Sequence, residues 1–311
     1  MSMSTCLITG GAGFIGSNLA EELLRRGETV RVLDNFVTGR RENLVGLEVE
    51  VVEADVRDRE AIRPAFAGVD YVLHQAALRS VPRSIDDPAA TNAANVDGTL
   101  NVLLAARDAE VKRVVFASSS SVYGADPALP KRESDRPLPL SPYAASKLAG
   151  EAYCASFTHV YGLETVGLRY FNVFGPRQDP TSQYATVIPL FIAALREGRR
   201  PLILGDGEQS RDFCYVSNVV EANLRAAEAP EVAGEVFNIA CGERYTLNQL
   251  LGMLNEILGT DLQPEYGPDR VGDMRHSLAD LTVARKRLGY EVQVRFREGL
   301  EKAVEWARRG D

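Results

Sequence analysis

Residues 5–16 read TCLITGGAGFIG, and this stretch decides the fold class. The apolar segment Thr5–Thr9 predicts a short strand and Phe14–Arg26 predicts an amphipathic helix, so the glycines lie in the turn between them. The turn satisfies G-x-G-x-x-G from Gly11 and G-x-x-G-x-x-G from Gly10. Glycine lets the backbone approach a pyrophosphate, and the helix start offers free N–H groups, so we predict a dinucleotide-binding loop. The loop contacts expected are Gly10, Gly13 and Gly16.

Apolar strands alternate with helices beyond this loop. The predicted strands are Thr29–Leu33, Glu48–Val52, Tyr71–His74 and Arg113–Ala117. A long helical pattern, about Asn92–Ala109, lies between the last two. Strands separated by helices pair in parallel through right-handed crossovers, and nearly all-apolar strands are covered on both faces. The sequence therefore predicts an α/β fold with a Rossmann-type doubly wound parallel sheet.

The regular pattern loosens after about residue 174, and turn residues cluster at 175–177 and 205–207. We therefore expect a dinucleotide-binding domain at 1–173 and a smaller α/β substrate-binding lobe at 174–311. Part of the chain near 212–240 is expected to return to the first domain. The helices predicted in the second half are Val187–Arg196, Thr246–Leu258 and Arg297–Ala307.

The composition is that of an ordinary folded protein, with 311 residues, 45% hydrophobic and 25% charged, and a net charge of −8. It contains no basic tail or stripe, which argues against nucleic acid as a partner. The four cysteines lack metal-site spacing, so we expect no metal and read them as buried or free thiols in a reducing compartment. With no signal-peptide pattern and no apolar run near ~20 residues, we expect a cytoplasmic protein without a membrane anchor.

Two aspartates end predicted strands. Asp34 lies 18 residues after Gly16, where a carboxylate can accept both hydroxyls of an adenosine ribose and repel a 2′-phosphate. This favours NAD over NADP, although Arg40 and Arg41 nearby would tolerate a phosphate. Asp55 ends the third strand and could reach the adenine amine. For both aspartates, a plain turn or capping role is the alternative.

Tyr143 and Lys147 form a Y-x-x-x-K pair at the start of a predicted helix. Ser141-Pro142 before them is typical of an N-cap followed by proline at the first helical position. The tyrosine pKa is ordinarily ~10, but the Lys147 ammonium, the helix start and a nicotinium charge all favour the phenolate. We interpret Tyr143 as a proton acceptor, against the alternative of an ordinary surface pair. The serine run Ser118–Ser121 ends the fifth strand, where hydroxyls face the cofactor crevice.

With these residues the chain resembles the extended short-chain dehydrogenase/reductases. It looks most like the UDP-hexose 4-epimerases, and within them the branch that acts on N-acetylated sugars. The resemblance covers nearly the full length. It rests on Gly10–Gly16, Asp34-Asn35, Asp55-Val56, His74–Ala77, Asn95, Ser118–Gly124, Tyr143 with Lys147, Leu168–Asn172, Arg211–Phe213 and Arg270–Asp273.

The resemblance implies roles residue by residue. Tyr143 is the base, Lys147 is its electrostatic partner, and Ser119 is a hydrogen-bonding aid whose role Ser120 could share. The residues implied to contact NAD, besides the loop glycines, are Phe14, Ile15, Asp34, Asn35, Asp55, Val56, Gln75, Ala76, Ala77, Asn95, Ser118, Tyr143, Lys147 and Phe171. Those implied to hold the UDP-sugar are Arg79, Ser119, Ser120, Tyr143, Asn172, Val187, Arg211, Arg270, Asp273 and Ser277.

The implied chemistry is inversion at C4 of the sugar. Because the C4–H of a pyranose is not acidic, hydride passes to NAD while Tyr143 takes the O4 proton, and the resulting 4-ketose rotates before reduction on its other face. Hexose-only epimerases carry a bulky tyrosine where this chain has Ser277, so N-acetylated and plain UDP-hexoses are both expected to fit. The alternative is that Ser277 merely caps a helix. A homodimer through a four-helix bundle is also implied.

Other reactions of the same family stay open to different degrees. Dehydratases place Asp-Glu immediately after the position of Ser119, and decarboxylases place an acid at the position of Ser121, but this chain has serines at both places. A UDP-glucuronate 4-epimerase is harder to exclude. A dinucleotide-binding sensor or scaffold of this fold typically loses the tyrosine or the lysine, and both are present here.

Overall fold

The predicted strands assemble into one parallel sheet in the computed structural model, which describes residues 4–179, 186–268 and 275–309. The described residues form further strands outside this sheet as well. All strands are, in chain order, β1 (Thr5–Thr9), β2 (Thr29–Asp34), β3 (Glu50–Glu53), β4 (Tyr71–His74), β5 (Arg113–Ser119), β6 (Glu164–Tyr170), β7 (Val173–Phe174), β8 (Leu202–Leu204), β9 (Ser210–Arg211), β10 (Cys214–Tyr215), β11 (Val236–Ile239), β12 (Tyr245–Thr246) and β13 (Glu265–Gly267).

Helices separate most of these strands. They are α1 (Phe14–Arg25), α2 (Arg59–Ile62), α3 (Val81–Asp86), α4 (Pro88–Asn92), α5 (Gly98–Asp108), α6 (Pro142–Tyr161), α7 (Val187–Arg196), α8 (Val216–Glu228), α9 (Leu247–Leu258), α10 (Thr282–Leu288) and α11 (Phe296–Arg309). Among the described residues, none of them combines the length and apolar composition needed to cross a bilayer.

The large sheet has seven strands in the order β3-β2-β1-β4-β5-β6-β11, all paired in parallel. The chain winds outward from β1 to β3, then returns to β4 on the other side of β1. This reversal of direction opens a crevice beyond the carboxyl ends of β1 and β4, where doubly wound folds bind their ligands. The predicted fold class is therefore confirmed.

Alternate residues of β1 enter different cores. Ile8 packs in a core with Leu19 of α1, whereas Leu7 packs in a second core with Val102 of α5 and Phe157 of α6. Successive side chains of a strand point to opposite faces, so both faces of the sheet are buried under helices. This double burial explains why the strands are nearly all apolar.

The long helix predicted at Asn92–Ala109 is wrong in its boundaries and its regularity. Helix α4 already begins at Pro88, because Asp87 accepts a hydrogen bond from the backbone N–H of Ala90 and proline is favoured in a first turn. A π-helical segment, Ala93–Asp97, then joins α4 to α5. Apolar spacing does not distinguish such a segment from an α-helix, and π-helical turns are often found at functional sites.

The second half of the chain builds a smaller layer against the sheet. Its two-stranded sheets pair β7 with β10, β9 with β12 and β8 with β13. Phe213 stacks on Phe296, the first residue of α11, and Phe174 meets both rings edge-on. Strand β11 lies in the large sheet beside β6, and the expected return of the chain near 212–240 to the first domain stays a prediction. The division into domains at residue 173 stays a prediction.

Candidate active site

The glycine loop after β1 has no room for side chains. Gly10 has φ 69°, and a Cβ there would lie 2.7 Å from the backbone nitrogen of Ala76. A Cβ on Gly16 would lie 2.3 Å from the carbonyl oxygen of Gly10. Gly13 is the N-cap of α1 and offers no capping side chain, so the first N–H groups of the helix, from Phe14 onward, have no intrahelical acceptor. Such a helix start fits a pyrophosphate.

Asp34 stands at the end of β2 beside this loop. Its carboxylate accepts hydrogen bonds from the backbone N–H of Ala12 at 2.9 Å and of Phe36 at 2.8 Å. Burial raises its pKa, and these N–H groups oppose the rise. A Cβ on Gly39 would lie only 2.7 Å from either carboxylate oxygen, so the following loop closes over the aspartate. Asp34 therefore both organises the turn and presents a fixed acceptor at the crevice.

The arginines near Asp34 already have partners. Arg40 lies 3.7 Å from carboxylate oxygens of Glu42 and Asp179, and Arg41 forms an ion pair with Glu53 and stacks over a phenylalanine ring. These ion pairs are solvent-exposed and therefore weak, so the fit to NAD rests on the Asp34 carboxylate, which would repel a 2′-phosphate.

Asp55 is held beside Asn35. The Asn35 amide donates to the Asp55 carboxylate at 2.7 Å, and Arg57 donates to both of its oxygens. These hydrogen bonds from Arg57 hold the pKa of Asp55 well below its usual range. Val56, the next residue, is buried against α5.

The residues after β4 line the floor of the crevice. Gln75 donates through its side chain to the Tyr170 hydroxyl and to Asn223, both at 3.1 Å. The backbone N–H of Ala76 donates to the Thr9 hydroxyl at 3.3 Å, and Ala77 follows in the same segment. The segment between β4 and α3 is therefore tied to the glycine loop from below.

Asn95, in the π-helical segment, joins this floor to the catalytic helix. Its side chain exchanges two hydrogen bonds with the backbone of Leu78 and donates to the Ser146 hydroxyl at 3.0 Å. Ser146 lies between Tyr143 and Lys147 in α6. Asn95 thus fixes α6 relative to the crevice rather than standing free in it.

Tyr143 lies in the first turn of α6 and Lys147 one turn further on, as predicted. Ser141 caps the helix, accepting from the Ala144 N–H at 3.2 Å, so this prediction is confirmed. The pKa of Tyr143 is raised overall, because burial outweighs the opposing effects of a hydrogen bond with Ser119 and of the nearby Arg79 guanidinium. This direction differs from the expectation that the surroundings favour the phenolate. The Lys147 ammonium donates to the Ala117 carbonyl at 2.8 Å and lies 6.0 Å from the Tyr143 ring centre.

The four serines Ser118–Ser121, of which the first two end β5, are not equivalent. Ser118 donates to the buried carboxylate of Glu151 at 2.5 Å and turns away from the crevice. Ser119 accepts from the N–H and the hydroxyl of Ser121 and contacts Tyr143. Ser120 begins a 3₁₀ turn. The arrangement makes Ser119 the partner of the candidate base.

Phe171 and Asn172 follow β6. The Phe171 ring is fully buried and packs 6.2 Å from the Tyr123 ring, so its side chain belongs to the core. Asn172 has φ 33° and donates to the Asp212 carbonyl at 3.0 Å and to the Ser277 hydroxyl at 3.1 Å. Ser277 is itself buried and caps no helix, because α10 begins at Thr282.

Several cations gather where the sequence predicts the nucleotide end of the substrate. Arg211, on β9, donates to the carbonyls of Ser210 and Arg275. His276 pairs with the Ser210 hydroxyl at 2.9 Å, and partial burial together with Arg244, Arg275 and Arg211 lowers its pKa.

Sequence reasoning missed three residues of this cluster, Arg244, Arg275 and His276, of which the two arginines are cations. The only sequence signal for Arg275 and His276 is that they follow the motif Arg270–Asp273 closely in the chain. Val187 begins α7 and is partly buried. Arg270 and Asp273 lie outside the described residues.

A seven-stranded doubly wound sheet with a glycine-rich loop after its first strand is the architecture of dinucleotide-binding α/β proteins. Residues 6–240 match the NAD dependent epimerase/dehydratase family, and the chain belongs to that family. It is accordingly an NAD-dependent enzyme of the extended short-chain dehydrogenase/reductase type, and the resemblance recognised from the motifs is confirmed.

Individual relatives cover the chain almost end to end. A UDP-glucose 4-epimerase of Mycolicibacterium smegmatis is 41% identical over 97% of this chain and 98% of its own length. The structure of a UDP-N-acetylglucosamine 4-epimerase from Methanobrevibacter ruminantium, complexed with UDP-N-acetylmuramic acid, is 41% identical with a TM-score of 0.95 over 100% of both chains. A Thermus thermophilus UDP-glucose 4-epimerase complexed with NAD is 37% identical, with a TM-score of 0.90 over 98% and 99%.

More distant relatives carry other activities in their names. They include a UDP-glucuronate 4-epimerase at 31% identity and a UDP-N-acetyl-alpha-D-glucosaminuronate decarboxylase at 34%.

Proposed function

We propose that this chain is a 4-epimerase of UDP-sugars that inverts C4 through a transient 4-keto sugar. The observation that carries the proposal is the contact between Tyr143 and Ser119 at the carboxyl end of β5, with Lys147 one helical turn away. This group stands at the mouth of the crevice that the glycine loop borders. Bound NAD would supply the reversible hydride acceptor that inversion of an unactivated carbon requires.

The chain's own residues move the proton. Tyr143, as phenolate, accepts the proton of the sugar O4 and later returns it. Ser119 hydrogen-bonds the same oxygen and keeps it in line with the phenol. The Lys147 ammonium and the Arg79 guanidinium both stabilise negative charge on Tyr143. Burial in this site strengthens these interactions because water screens them less.

The nucleotide end of the substrate is assigned to the cations around β9. Arg211, Arg244 and Arg275 all lie near His276, and Arg275 also pairs with Asp206 at 2.7 Å. Guanidinium groups bind diphosphate oxygens with planar pairs of hydrogen bonds, which supports this assignment. We assign Arg270 and Asp273 to the same end, as their motif implies.

For the sugar, we propose UDP-GlcNAc/UDP-GalNAc with UDP-glucose/UDP-galactose also accepted. Ser277 is small, and its hydroxyl is anchored by Asn172 and by the backbone N–H of Asp212, which fixes the width of the pocket wall there. A second candidate is UDP-glucuronate. The Arg79 guanidinium beside Tyr143 is a cation that a C6 carboxylate could engage in competition with the nearby Asp179, and the neighbouring serine hydroxyls would support the carboxylate.

The assembly and location follow as further proposals. We propose a homodimer in which α5 and α6 pair with their copies, because the outer face of α6 is lined by small residues that let helices approach: Ala145, Ala149, Ala152 and Ser156. We also propose that the enzyme works in the cytoplasm, with no membrane or nucleic-acid partner.

The test is to incubate the purified protein with each UDP-sugar and separate the products. We expect interconversion of UDP-GlcNAc and UDP-GalNAc, and of UDP-glucose and UDP-galactose. Bound NAD without conversion of any UDP-sugar would contradict the proposal and favour a sensor or scaffold. Arg79→Met separates the sugar candidates: because it removes a cation that favours the Tyr143 phenolate, it should slow every UDP-sugar, but conversion of UDP-glucuronate should fall much further than that of the neutral sugars if the uronate reading holds.

A further inference from the structure

A buried ion pair that the proposed reaction does not use lies beneath the catalytic helix. Arg169 of β6 donates to both carboxylate oxygens of Glu151 in α6, from Nε at 2.9 Å and from Nη2 at 2.8 Å. The exposed fraction is 4% for the Arg169 side chain and 7% for the Glu151 side chain. Removing two charges from water largely cancels their attraction, so stability alone is a weak reason to bury this pair.

The pair ties three strands to α6. Ser118 of β5 donates to the Glu151 carboxylate at 2.5 Å, and Arg169 donates to the Tyr123 hydroxyl at 2.9 Å. Tyr123 in turn donates to Asn238 of β11 at 2.6 Å. Each side-chain polar atom of this hydrogen-bond network has a partner, so the network favours one arrangement of these side chains.

The network fixes α6 against β5. Three side chains spaced four residues apart on one face of α6 each contact one of three consecutive residues of β5. Lys147 bonds the Ala117 carbonyl, Glu151 bonds Ser118, and Tyr143 contacts Ser119. A rotation or slide of α6 that breaks one of these contacts would displace the other two.

Glu151 is also the charged neighbour of Lys147. Of the titratable groups around Lys147, burial keeps His74 neutral, with a pKa lowered to about 3, and raises the pKa of the Cys154 thiol to about 12. The remaining neighbour is Tyr143, whose phenolate the Lys147 ammonium stabilises in the proposed reaction. Burial lowers the Lys147 pKa to about 8, and Cys154 and Glu151 oppose this. Glu151 therefore supplies the nearby negative charge.

We propose that Glu151, held by Arg169, is a positioning residue that sets the register of α6 on β5 and keeps Lys147 as an ammonium beneath Tyr143. The proposal rests on the proposed function, because the epimerase reaction is what the register serves.

The test compares Glu151→Gln with a matched control, Glu164→Gln. Glu164 pairs with Arg113 at the opposite ends of the same two strands, β5 and β6. For Glu151→Gln we expect kcat to fall by ~10-fold to ~10²-fold, as for a small misplacement of reacting groups, with KM for the UDP-sugar little changed. The pH range over which the enzyme is active should narrow. In this variant Lys147 loses its proton at a lower pH than in the wild type, and Tyr143 becomes protonated at a higher pH. Glu164→Gln should leave kcat and the pH profile unchanged.

A second readout needs no substrate. Ionisation of Tyr143 is measured by ultraviolet difference titration of the NAD complex, with Tyr143→Phe as the reference. We expect Glu151→Gln to raise the Tyr143 pKa. Because the lone Arg169 charge could unfold this variant, the double variant Glu151→Gln/Arg169→Met is measured as well, and we expect the same shift in its titration.

An unshifted Tyr143 titration and a wild-type pH profile in folded variants would overturn the positioning role. If the wild type converts no UDP-sugar, the proposed function fails instead, while the titration still decides the part played by Glu151.

Discussion

At the scale of single residues, the catalytic group depends on two opposite effects of burial. Burial raises the pKa of Tyr143 and lowers that of Lys147, which disfavours the charged form of each. The charged pair is favoured again by Ser119 and Arg79 on the phenol side and by Glu151 on the ammonium side. Loss of any of these groups should therefore change protonation before it changes the fold.

Replacing Tyr143 by phenylalanine should lower turnover by ~10²–10⁴-fold, because the proton acceptor is lost while packing is kept. The measurement is kcat with the preferred UDP-sugar, with retained NAD confirmed by absorbance. Tyr153→Phe, an exposed tyrosine on the same helix, is the matched control and should behave as the wild type. Near wild-type turnover in Tyr143→Phe would refute the assignment of the base.

The pH profile of kcat/KM should fall on its alkaline side near pH 8. Burial lowers the pKa of Lys147 to about 8, so the ammonium that stabilises the Tyr143 phenolate is lost as the pH rises through that value. Below that pH the Lys147 ammonium is present, so titration of this group no longer changes kcat/KM. Lys147→Arg, whose charge does not titrate in this range, should lack the alkaline limb in whatever activity it retains. If the alkaline fall in kcat/KM persists in Lys147→Arg, a group other than Lys147 causes it.

Ser277→Tyr should abolish epimerisation of UDP-GlcNAc and spare UDP-glucose, since a phenol ring in the pocket wall would occupy the space of the N-acetyl group. Ser277→Ala is the matched control, because it removes the hydroxyl anchored by Asn172 without adding bulk. We expect Ser277→Ala to retain both substrates, with weaker binding of each. Good turnover of UDP-GlcNAc by the tyrosine variant would show that Ser277 does not set the width of the pocket.

At the scale of elements, the glycine loop and α1 act as one unit. The loop packs so closely on itself and on the segment after β4 that side chains at Gly10 and Gly16 have no space. The resulting helix start carries no capping side chain, and its free N–H groups are the feature that a pyrophosphate requires.

Gly16→Ala should weaken NAD binding severely, because the new Cβ would lie 2.3 Å from the Gly10 carbonyl oxygen. Gly252→Ala is the matched control, a helical glycine of α9 with no atom within 4 Å of the added Cβ. It should bind NAD normally and gain about 0.5–1 kcal/mol of unfolding free energy. Dissociation constants by calorimetry and unfolding by denaturant give both values. Unimpaired NAD binding by Gly16→Ala would contradict the close packing of the loop.

The sequence predicted the elements whose patterns are local. Strand Tyr71–His74, helix Val187–Arg196 and the cap at Ser141 are in place because apolar spacing and capping residues encode them directly. The π-helical segment escaped because its residue spacing is that of a helix. The ion pair between Glu151 and Arg169 escaped because its members are 18 residues apart and meet only when α6 folds back on β6.

At the scale of the whole molecule, the proposed dimer depends on the outer face of α6. Its residues are small, it lies beside α5, and it includes exposed apolar side chains such as Val160. A surface of this kind is well suited to pairing with its own copy about a two-fold axis.

Ala152→Arg should convert the proposed dimer into a monomer, because Ala152 lies at the middle of that face and two long cations would meet across the axis. Sedimentation velocity at several concentrations measures the change. Val283→Arg, an exposed position on α10, is the control and should remain dimeric. A wild type that sediments as a monomer would refute the four-helix assembly.

The place of β11 at the edge of the large sheet has a consequence for synthesis on the ribosome. Strands β1 to β6 emerge first, but the sheet gains its last strand only when residue 239 leaves the exit tunnel, some seventy residues after β6 is complete. Until then the edge of β6 has unpaired N–H and C=O groups, and the face of α1 later covered by α8 is bare. A nascent chain in this interval is a natural client for chaperones, and a stop within it would leave an aggregation-prone fragment.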